Sequence, residues 1–206
     1  MTKDLSITHS CLIEKNKVIL NGRDVFNTQG MDLSAFLLAL YKHAGINYPK
    51  FYKMDNLSKL GFLAAEMILK NPTLILDFKK EDIAIVLYNR NSSLDTDINY
   101  FETVKEMASP ALFVYTLPNI LIGELCIRHG FKGENIFFLS ETFKAEEMMD
   151  YVTFLLENNL AKACLCGWVD CFEEDYKACL MWVENSEQGE YFTADTINKI
   201  YNQGNG

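Results

Sequence analysis

One continuous apolar segment restricts the possible folds more than any other feature of the chain. Residues Asp82–Tyr88 read DIAIVLY, and the six residues after the aspartate are uncharged, with the length and β-branched content of a strand. Successive side chains of a strand point to opposite faces of a sheet, so an apolar run must be covered on both faces. The segment therefore predicts a strand inside a sheet that lies between two helical layers.

Strand-like and helix-like segments alternate along the rest of the chain. An N-terminal hairpin is predicted at Leu5–Ile13 and Val18–Leu20, with later strands at Asn135–Leu139, Lys162–Val169 and Lys177–Glu184. Helices are predicted from Asp32 to Gly45, from Asp55 or Asn56 to just before Pro72, and at Tyr100–Met107, Pro118–Gly130, Ala145–Asn158 and Thr193–Tyr201. This alternation indicates an α/β fold with a mostly parallel, five-stranded sheet and helices on both faces. The last two strands are expected to supply one antiparallel edge strand.

Composition excludes several classes of function. The chain has 206 residues, 49% of them hydrophobic, and we expect a single domain over residues 1–206. The formal net charge of −9 argues against nucleic-acid binding, which needs clustered lysine and arginine. The first residues, MTKDLSIT, lack a signal-peptide core, and no apolar run reaches the ~18 residues of a membrane span. We therefore expect a cytoplasmic protein without a membrane partner.

The cysteines raise the possibility of a zinc site. Four of the six fall between Cys164 and Cys179, but no pair has the two-residue spacing of a zinc knuckle. The preferred interpretation is that they are small buried side chains in strands of a reduced protein. The sequence predicts neither a metal nor a cofactor.

Four short motifs, in order along the chain, carry a family resemblance. They are KMD at Lys53–Asp55, TLPN at Thr116–Asn119, GEN at Gly133–Asn135 and CGWVD at Cys166–Asp170. Their order and spacing resemble the N-terminal half of the β-ketoacyl-(acyl carrier protein) synthases, members of the thiolase-like superfamily. The resemblance covers most of this chain and about half of a full ketosynthase. It implies that the α/β unit is one half of a thiolase-like fold, a β-ketoacyl synthase N-terminal-like domain.

The resemblance also identifies the position of the family's nucleophile. Nine residues after Gly133, where the family carries a cysteine, this chain has Thr142, flanked by Ser140, Glu141 and Phe143. A slip of one residue would place Glu141 or Phe143 there, and neither is a thiol. A cysteine at a helix N-terminus is needed to hold the acyl chain as a thioester. The chain has three histidines, His9, His43 and His129, and none matches a catalytic position of the family.

Other positions are candidates for substrate contact or for assembly. Aromatic residues near TLPN are candidates to line an acyl channel or to lie in the core. The resemblance implies that the TLPN turn starts a helix beside that channel. The acyl-channel candidates are Phe101, Phe113, Tyr115, Thr116 and Asn119. The family dimerises through the strand before the nucleophile, which corresponds here to Asn135, Ile136, Phe137, Phe138 and Leu139. The resemblance further implies that the helix Ala145–Asn158, without a second half to cover it, requires a partner.

These features favour a ketosynthase-like protein that does not condense acyl chains on its own. It would act like a chain-length factor in fatty-acid or polyketide biosynthesis, with aryl-polyene and related pigment pathways among the candidates. The expected partner is a second copy or a full-length ketosynthase, and an acyl carrier protein is a further candidate. One alternative is a 3-oxoacyl-(acyl carrier protein) synthase that is active only with a partner subunit. Another is a stand-alone acyl- or metabolite-binding module.

Overall fold

A single mixed sheet runs through the protein, whose computed structural model describes residues 5–205. Its strands are β1 Leu5–Glu14, β2 Lys17–Leu20, β3 Arg23–Asn27, β4 Ile83–Asn89, β5 Asn135–Leu139, β6 Ala163–Phe172, β7 Asp175–Asn185 and β8 Glu190–Tyr191. The strand order is β3-β2-β1-β7-β6-β4-β5, and β8 pairs with β1. All seven residues of β4 are buried, as the apolar run at Asp82–Tyr88 predicts.

The five-stranded unit expected from the sequence corresponds to β1, β7, β6, β4 and β5, with β5 at the edge of the sheet. Strands β1, β6, β4 and β5 run in one direction, and β7 runs against them. The prediction was wrong in two details, because β2, β3 and β8 extend the sheet to eight strands and β7 lies inside it. The six residues from Ala178 to Val183 are all buried. Such a strand needs neighbours on both edges and cover on both faces, and β1 supplies the second edge.

Seven α-helices within residues 5–205 connect and cover the strands. They are α1 Leu33–His43, α2 Asn56–Leu69, α3 Leu94–Val104, α4 Pro110–Phe113, α5 Ile120–His129, α6 Ala145–Glu157 and α7 Ala194–Tyr201. Short side chains begin several of them: Asp32 accepts a hydrogen bond from the Ala35 N–H at 2.8 Å, and Asp55 accepts one from the Ser58 N–H at 2.9 Å. Gly130, in the left-handed region, ends α5.

Alternate residues of the central strands divide the core into two layers. Ile85 and Leu87 face the layer that contains α1, α2 and α5, while Ala84 and Val86 face the layer that contains α6 and α7. Helices on both faces of the sheet are therefore confirmed. Five of the six cysteines are buried in β1, β6 and β7, where they pack as small apolar side chains.

Helix α6 differs from the uncovered apolar helix that the family resemblance implied. Its buried residues, among them Met148 and Val152, pack on the sheet and against α7. Its outer surface carries exposed carboxylates at Glu146, Glu147 and Asp150. The expectation of a bare apolar helix was wrong because the α6 residues are amphipathic and α7 covers the apolar side.

A buried ionic cluster joins α2 to α5. Glu66 is 7% exposed, and its carboxylate accepts hydrogen bonds from Nε and Nη2 of Arg128 at 3.0 and 3.1 Å. His129 Nε2 lies 2.9 Å from Glu66 Oε1. Burial alone would raise the pKa of the Glu66 carboxyl, but the bonds from His129 and Arg128 outweigh burial and hold that pKa below its ordinary value. The ionised carboxylate therefore stabilises the folded state.

We expect Glu66→Gln to lower the free energy of unfolding by about 3 kcal/mol at neutral pH, since it removes one charge from a buried cluster. A carboxyl with a lowered folded-state pKa contributes fully above its unfolded pKa, near 4.5, and loses the contribution as the pH falls through the folded value. The difference between wild type and variant in urea unfolding should thus be constant above about pH 5.5 and shrink at lower pH. Glu81→Gln, in an exposed 3.6 Å pair with Lys132, is the matched control and should change stability by less than about 1 kcal/mol. A pH-independent difference would contradict the ionic role of Glu66.

Candidate functional site

The carboxyl ends of the parallel strands β4, β5 and β6 meet at one edge of the sheet. Asn89 pairs with Leu139, and Tyr88 pairs with Trp168. Open α/β sheets place their binding sites at this edge. The polar segment NRNSSLDTD (residues 89–97) leaves β4 here, and its contacts organise the site.

The carboxylate of Asp170, at the end of the CGWVD motif, holds the start of this segment. Asp170 is 8% exposed, and its Oδ1 accepts hydrogen bonds from the main-chain N–H groups of Arg90 and Asn91 at 3.1 and 2.9 Å. Its Oδ2 accepts one from Asn91 Nδ2 at 2.7 Å. Asn89 is fully buried, and its side-chain amide makes two hydrogen bonds with Ser92: Nδ2 donates to the Ser92 carbonyl, and Oδ1 accepts from the Ser92 N–H. Ser92 adopts a positive φ of 53° in this turn.

Two other motifs are bound to the same segment. Thr96 donates a hydrogen bond to Asp55 Oδ2 of the KMD motif at 2.7 Å, and Ser93 Oγ donates one to the Thr116 carbonyl of TLPN at 2.9 Å. Burial raises the pKa of Asp55, partly offset by hydrogen bonds from Ser58 and Thr96. The fourth motif, GEN, lies at the other end of β5, where a Cβ on Gly133 would meet the Ile83 carbonyl oxygen at 2.3 Å. The sequence did not indicate that residues 89–97 connect the motifs, although this polar stretch after a buried strand was the available signal.

The turn in which the sequence predicts the nucleophile position, residues 140–143, follows β5 at the same edge. The Ser140 N–H donates to the Asn89 carbonyl at 2.9 Å, and Ser140 Oγ donates to the Thr142 carbonyl at 2.8 Å. Glu141 and Thr142 are exposed. Helix α6 begins only at Ala145, so Thr142 lies outside the first helical turn, where the effect of the helix dipole is weak. The predicted bounds of the strand, Asn135–Leu139, and of the helix start, Ala145, leave the same five-residue connection that the structure shows.

Phe143 is fixed by an aromatic stack with the C-terminal helix. Its ring lies 3.9 Å from that of Tyr201 at an interplanar angle of 3°, and the edge of Trp168 closes the cluster at 6.1 Å. Lys177 Nζ lies 4.0 Å from the Tyr201 ring centroid. Burial, followed by nearby ionisable groups that include Cys179 and Glu14, raises the pKa of Tyr201 to about 12. Tyr201 is therefore a neutral phenol at physiological pH and cannot serve as a base for Thr142.

Each histidine has its contacts elsewhere in the fold. His9 Nδ1 lies 3.2 Å from Thr8 Oγ1, His43 packs 4.7 Å from the Phe26 ring, and His129 belongs to the Glu66 cluster. Partial burial lowers the pKa of His9, against the opposing effect of Glu184. Within residues 5–205, no three His, Cys, Asp or Glu side chains are grouped as a metal site would require. None of the described helices has the length and apolar character to cross a bilayer.

The five acyl-channel candidates occupy different environments. Tyr115 is buried, and its hydroxyl donates to Glu124 Oε1 at 3.0 Å, while Lys50 Nζ lies 2.8 Å from Glu124 Oε2. Burial and the neighbouring Glu124 raise the pKa of Tyr115. Phe101, Phe113 and Asn119 are exposed, and the half-buried Thr116 donates to the Phe113 carbonyl at 2.8 Å. The structure brings the residues of α3 and α4 together on the surface, and their role in a channel stays a prediction.

Strand β5 leaves one edge of its backbone unpaired within the described residues. The Ile85 N–H of β4 donates to the Glu134 carbonyl at 2.9 Å, and the Ser140 N–H donates to the Asn89 carbonyl of β4 at 2.9 Å. The N–H and C=O groups of successive residues in a strand point to alternate sides. The main-chain groups of Ile136 and Phe138 therefore point toward β4, and those of Asn135, Phe137 and Leu139 point outward. Phe138 packs 4.8 Å from Tyr88 and 5.2 Å from Tyr151, and Leu139 is 61% exposed.

The chain matches no protein-family model and no curated protein, but its fold is shared with solved ketosynthase structures. The ishigamide ketosynthase/chain length factor aligns with a TM-score of 0.65 at 18% identity over 91% of this chain. A type II polyketide synthase acyl-carrier protein in complex with its ketosynthase bound to the hexaketide aligns at 0.62 and 18% identity, also over 91%. This chain spans 64% of the matched chain in each.

A third structure is closer to this chain in length. It is a ketosynthase in complex with its chain length factor from Xenorhabdus doucetiae, with a TM-score of 0.58 and 13% identity. The alignment covers 96% of this chain and 90% of that one. At these identities the likeness establishes the fold, and the predicted half of a thiolase-like fold is confirmed.

The stack between Phe143 and Tyr201 should couple the turn to α7. In a double-mutant cycle with Phe143→Ala and Tyr201→Ala, we expect a coupling energy of about 1 kcal/mol, the usual contribution of a stacked aromatic pair. Tyr201→Phe should retain most of the stability because the ring remains. A control cycle that combines Phe143→Ala with the exposed Ile98→Ala should give a coupling near zero. Equal coupling in both cycles, measured by urea denaturation, would disprove the direct interaction.

Proposed function

We propose that this protein is a ketosynthase-like subunit of fatty-acid or polyketide biosynthesis that lacks condensing activity of its own and works with a ketosynthase, as a chain-length factor does. The observation that carries the proposal is the turn after β5. The structure shows an exposed Thr142 there, with the next residue stacked on α7, and the proposal takes Thr142 as the counterpart of the thiol of the ketosynthases. Residues 1–206 would act as one domain in this role.

The chemistry of the turn supports a non-condensing role. Acyl transfer requires a nucleophile that is ionised or is deprotonated by an adjacent base. The Thr142 side chain is a hydroxyl, and the nearest carboxylate in sequence, Glu141, is exposed in the same turn. The cysteines do not offer an easy substitute: burial raises the pKa of Cys11, Cys126, Cys171 and Cys179, the last to about 12, and a hydrogen bond with Cys164 followed by burial raises that of Cys166.

Assembly through β5 is the second part of the proposal. The outward main-chain groups of Asn135, Phe137 and Leu139 can pair with the corresponding strand of a partner in a continuous sheet. A chain of similar length in the Xenorhabdus doucetiae structure belongs to a complex of a ketosynthase with its chain length factor. We infer from this that the present chain pairs with a ketosynthase, or with a second copy, across β5. An aryl-polyene or related pigment pathway is the narrower form of the proposal.

Incubation with a short acyl thioester should leave the intact mass of the purified protein unchanged, because no activated nucleophile stands at the turn. Thr142→Val should behave identically. Thr142→Cys supplies a thiol and should gain one acyl group slowly, without releasing a condensed product when malonyl-carrier protein is added. Stable acylation of any wild-type cysteine would contradict the non-condensing role. Activity that appears only with an added ketosynthase fragment would favour the alternative of a partner-dependent 3-oxoacyl-(acyl carrier protein) synthase.

Phe137→Pro should abolish pairing across β5, because proline removes an outward N–H and leaves the bonds of β5 to β4 in place. Phe137→Ala is the matched control: it loses the same aromatic packing but keeps the N–H. We expect at least tenfold weaker association for the proline variant than for the alanine variant, measured by sedimentation with each ketosynthase of the source organism and with the chain alone. A monomer at micromolar concentration that binds none of those ketosynthases would refute the pairing and favour a stand-alone acyl-binding module.

A further inference from the structure

Helix α3 presents its apolar stripe to solvent. Leu94, Ile98, Phe101 and Val104 are spaced at four, three and three residues, which places them on one side of a helix. These side chains are 42% to 65% exposed. Thr96 is the one buried residue of α3. An amphipathic helix normally buries such a stripe, as α1, α5 and α6 do, so α3 has the opposite orientation to those helices.

The same surface continues onto the segment that contains α4. Tyr100 of α3 packs against Phe113 of α4 at 5.4 Å. We define the α3–α4 face by eight exposed apolar residues: Leu94, Ile98, Phe101, Val104, Met107, Phe113, Val114 and Leu117. They are half of the sixteen large exposed hydrophobic residues among those described, although residues 94–117 form a small part of the chain. Such concentration is typical of an interaction site, whereas single exposed side chains are ordinary.

Hydrogen bonds hold the face in this orientation. Thr96 is bound to Asp55, Ser93 to the Thr116 carbonyl, and the Ser109 N–H donates to Thr103 Oγ1 at 3.0 Å. Asp95 Oδ1 accepts a bond from the Glu173 N–H at 3.2 Å, which joins α3 to the β6–β7 connection. Turning α3 over to bury its stripe would break these bonds. A partner therefore meets a preorganised surface and avoids the cost of ordering it.

The charges beside the stripe restrict what can bind there. Residues 94–107 contain Asp95, Asp97, Glu102 and Glu106 but only one basic residue, Lys105, and that lysine is paired with Glu102. A symmetric contact between two copies would bring the same carboxylates against each other. Anionic lipid would be repelled as well. A protein surface with lysine and arginine around an apolar groove complements both the stripe and its border.

We propose that the α3–α4 face is a docking site for a different protein, one with an apolar groove bordered by lysine and arginine, and not for a second copy of this chain. In this complex α3 packs its apolar side into the groove of the partner, with Ile98 and Phe101 as the central contacts. This inference stands apart from the pairing across β5, which uses main-chain groups of another element.

Site-specific photo-crosslinking in the source cell tests the proposal. A benzoylphenylalanine at position 101 of the full chain should crosslink to a protein other than this chain, at a peptide in which apolar residues are flanked by lysine or arginine. The matched control carries the probe at Leu76, which is 72% exposed outside the face, and should not yield that product. Ile98→Glu in the position-101 background should remove the crosslink, while circular dichroism confirms that the variant is folded.

Affinity measurements with the crosslinked protein, purified, complete the test. We expect Ile98→Glu to weaken binding at least tenfold and Leu76→Glu to leave it unchanged. Raising NaCl from 50 to 500 mM should also weaken binding, since the border contacts are ionic. Crosslinks to this chain itself, to lipid, or at the level of the Leu76 control would overturn the proposal, as would binding that Ile98→Glu leaves intact. Loss of binding in Phe137→Pro but not in Ile98→Glu would reject this inference and leave the proposed function in place.

Discussion

The loop after β4 depends on two carboxylates, the buried Asp170 and the half-buried Asp55, and the arrangement of the site depends on that loop. Asp170 satisfies the main-chain N–H groups of Arg90 and Asn91, and Asp55 caps α2 while it binds Thr96. A buried carboxylate is costly unless hydrogen bonds compensate it, and here each one accepts several. Through these bonds the segment 89–97 joins α2, β6 and the TLPN turn, and through the Asn89 carbonyl it fixes the start of the turn that carries Thr142.

Sequence patterns predicted the parts of the fold whose local chemistry and tertiary environment agree. Strand β5 was predicted at its observed bounds, and α1 and α7 begin one residue after the predicted starts Asp32 and Thr193. Sequence patterns did not predict the elements whose bounds or position depend on contacts with distant parts of the chain. Helix α3 begins at Leu94, six residues before the predicted start at Tyr100. The prediction missed these residues because the first turn has the polar composition of a loop and the apolar residues of the helix face solvent. The interior position of β7 follows from pairing with β1, a partner more than 160 residues away in sequence.

The candidate site could be predicted only in outline. The predicted bounds of β5 and α6 already left the five-residue connection that contains Thr142, but the spacing could not reveal that Phe143 stacks on Tyr201. That stack joins residues 58 positions apart, and no local pattern reports such a contact. The connecting role of residues 89–97 was missed for the same reason, since Asp55, Thr116 and Asp170 are brought to one loop only by the folded sheet.

Helices α6 and α3 place their apolar sides in opposite ways. In α6 the apolar side packs on the sheet and on α7, and the outer side carries exposed carboxylates, with Phe154 as its one large exposed hydrophobic residue. In α3 the apolar side is exposed while its polar side, through Thr96, is fixed to the core. Exposed apolar surface lowers solubility and does not stabilise a monomer, so its position away from α6 indicates where association free energy is available. The fold thus separates the turn that contains Thr142, where Phe143 packs on Tyr201, from the edge of β5 that is unpaired within residues 5–205 and from the exposed apolar side of α3.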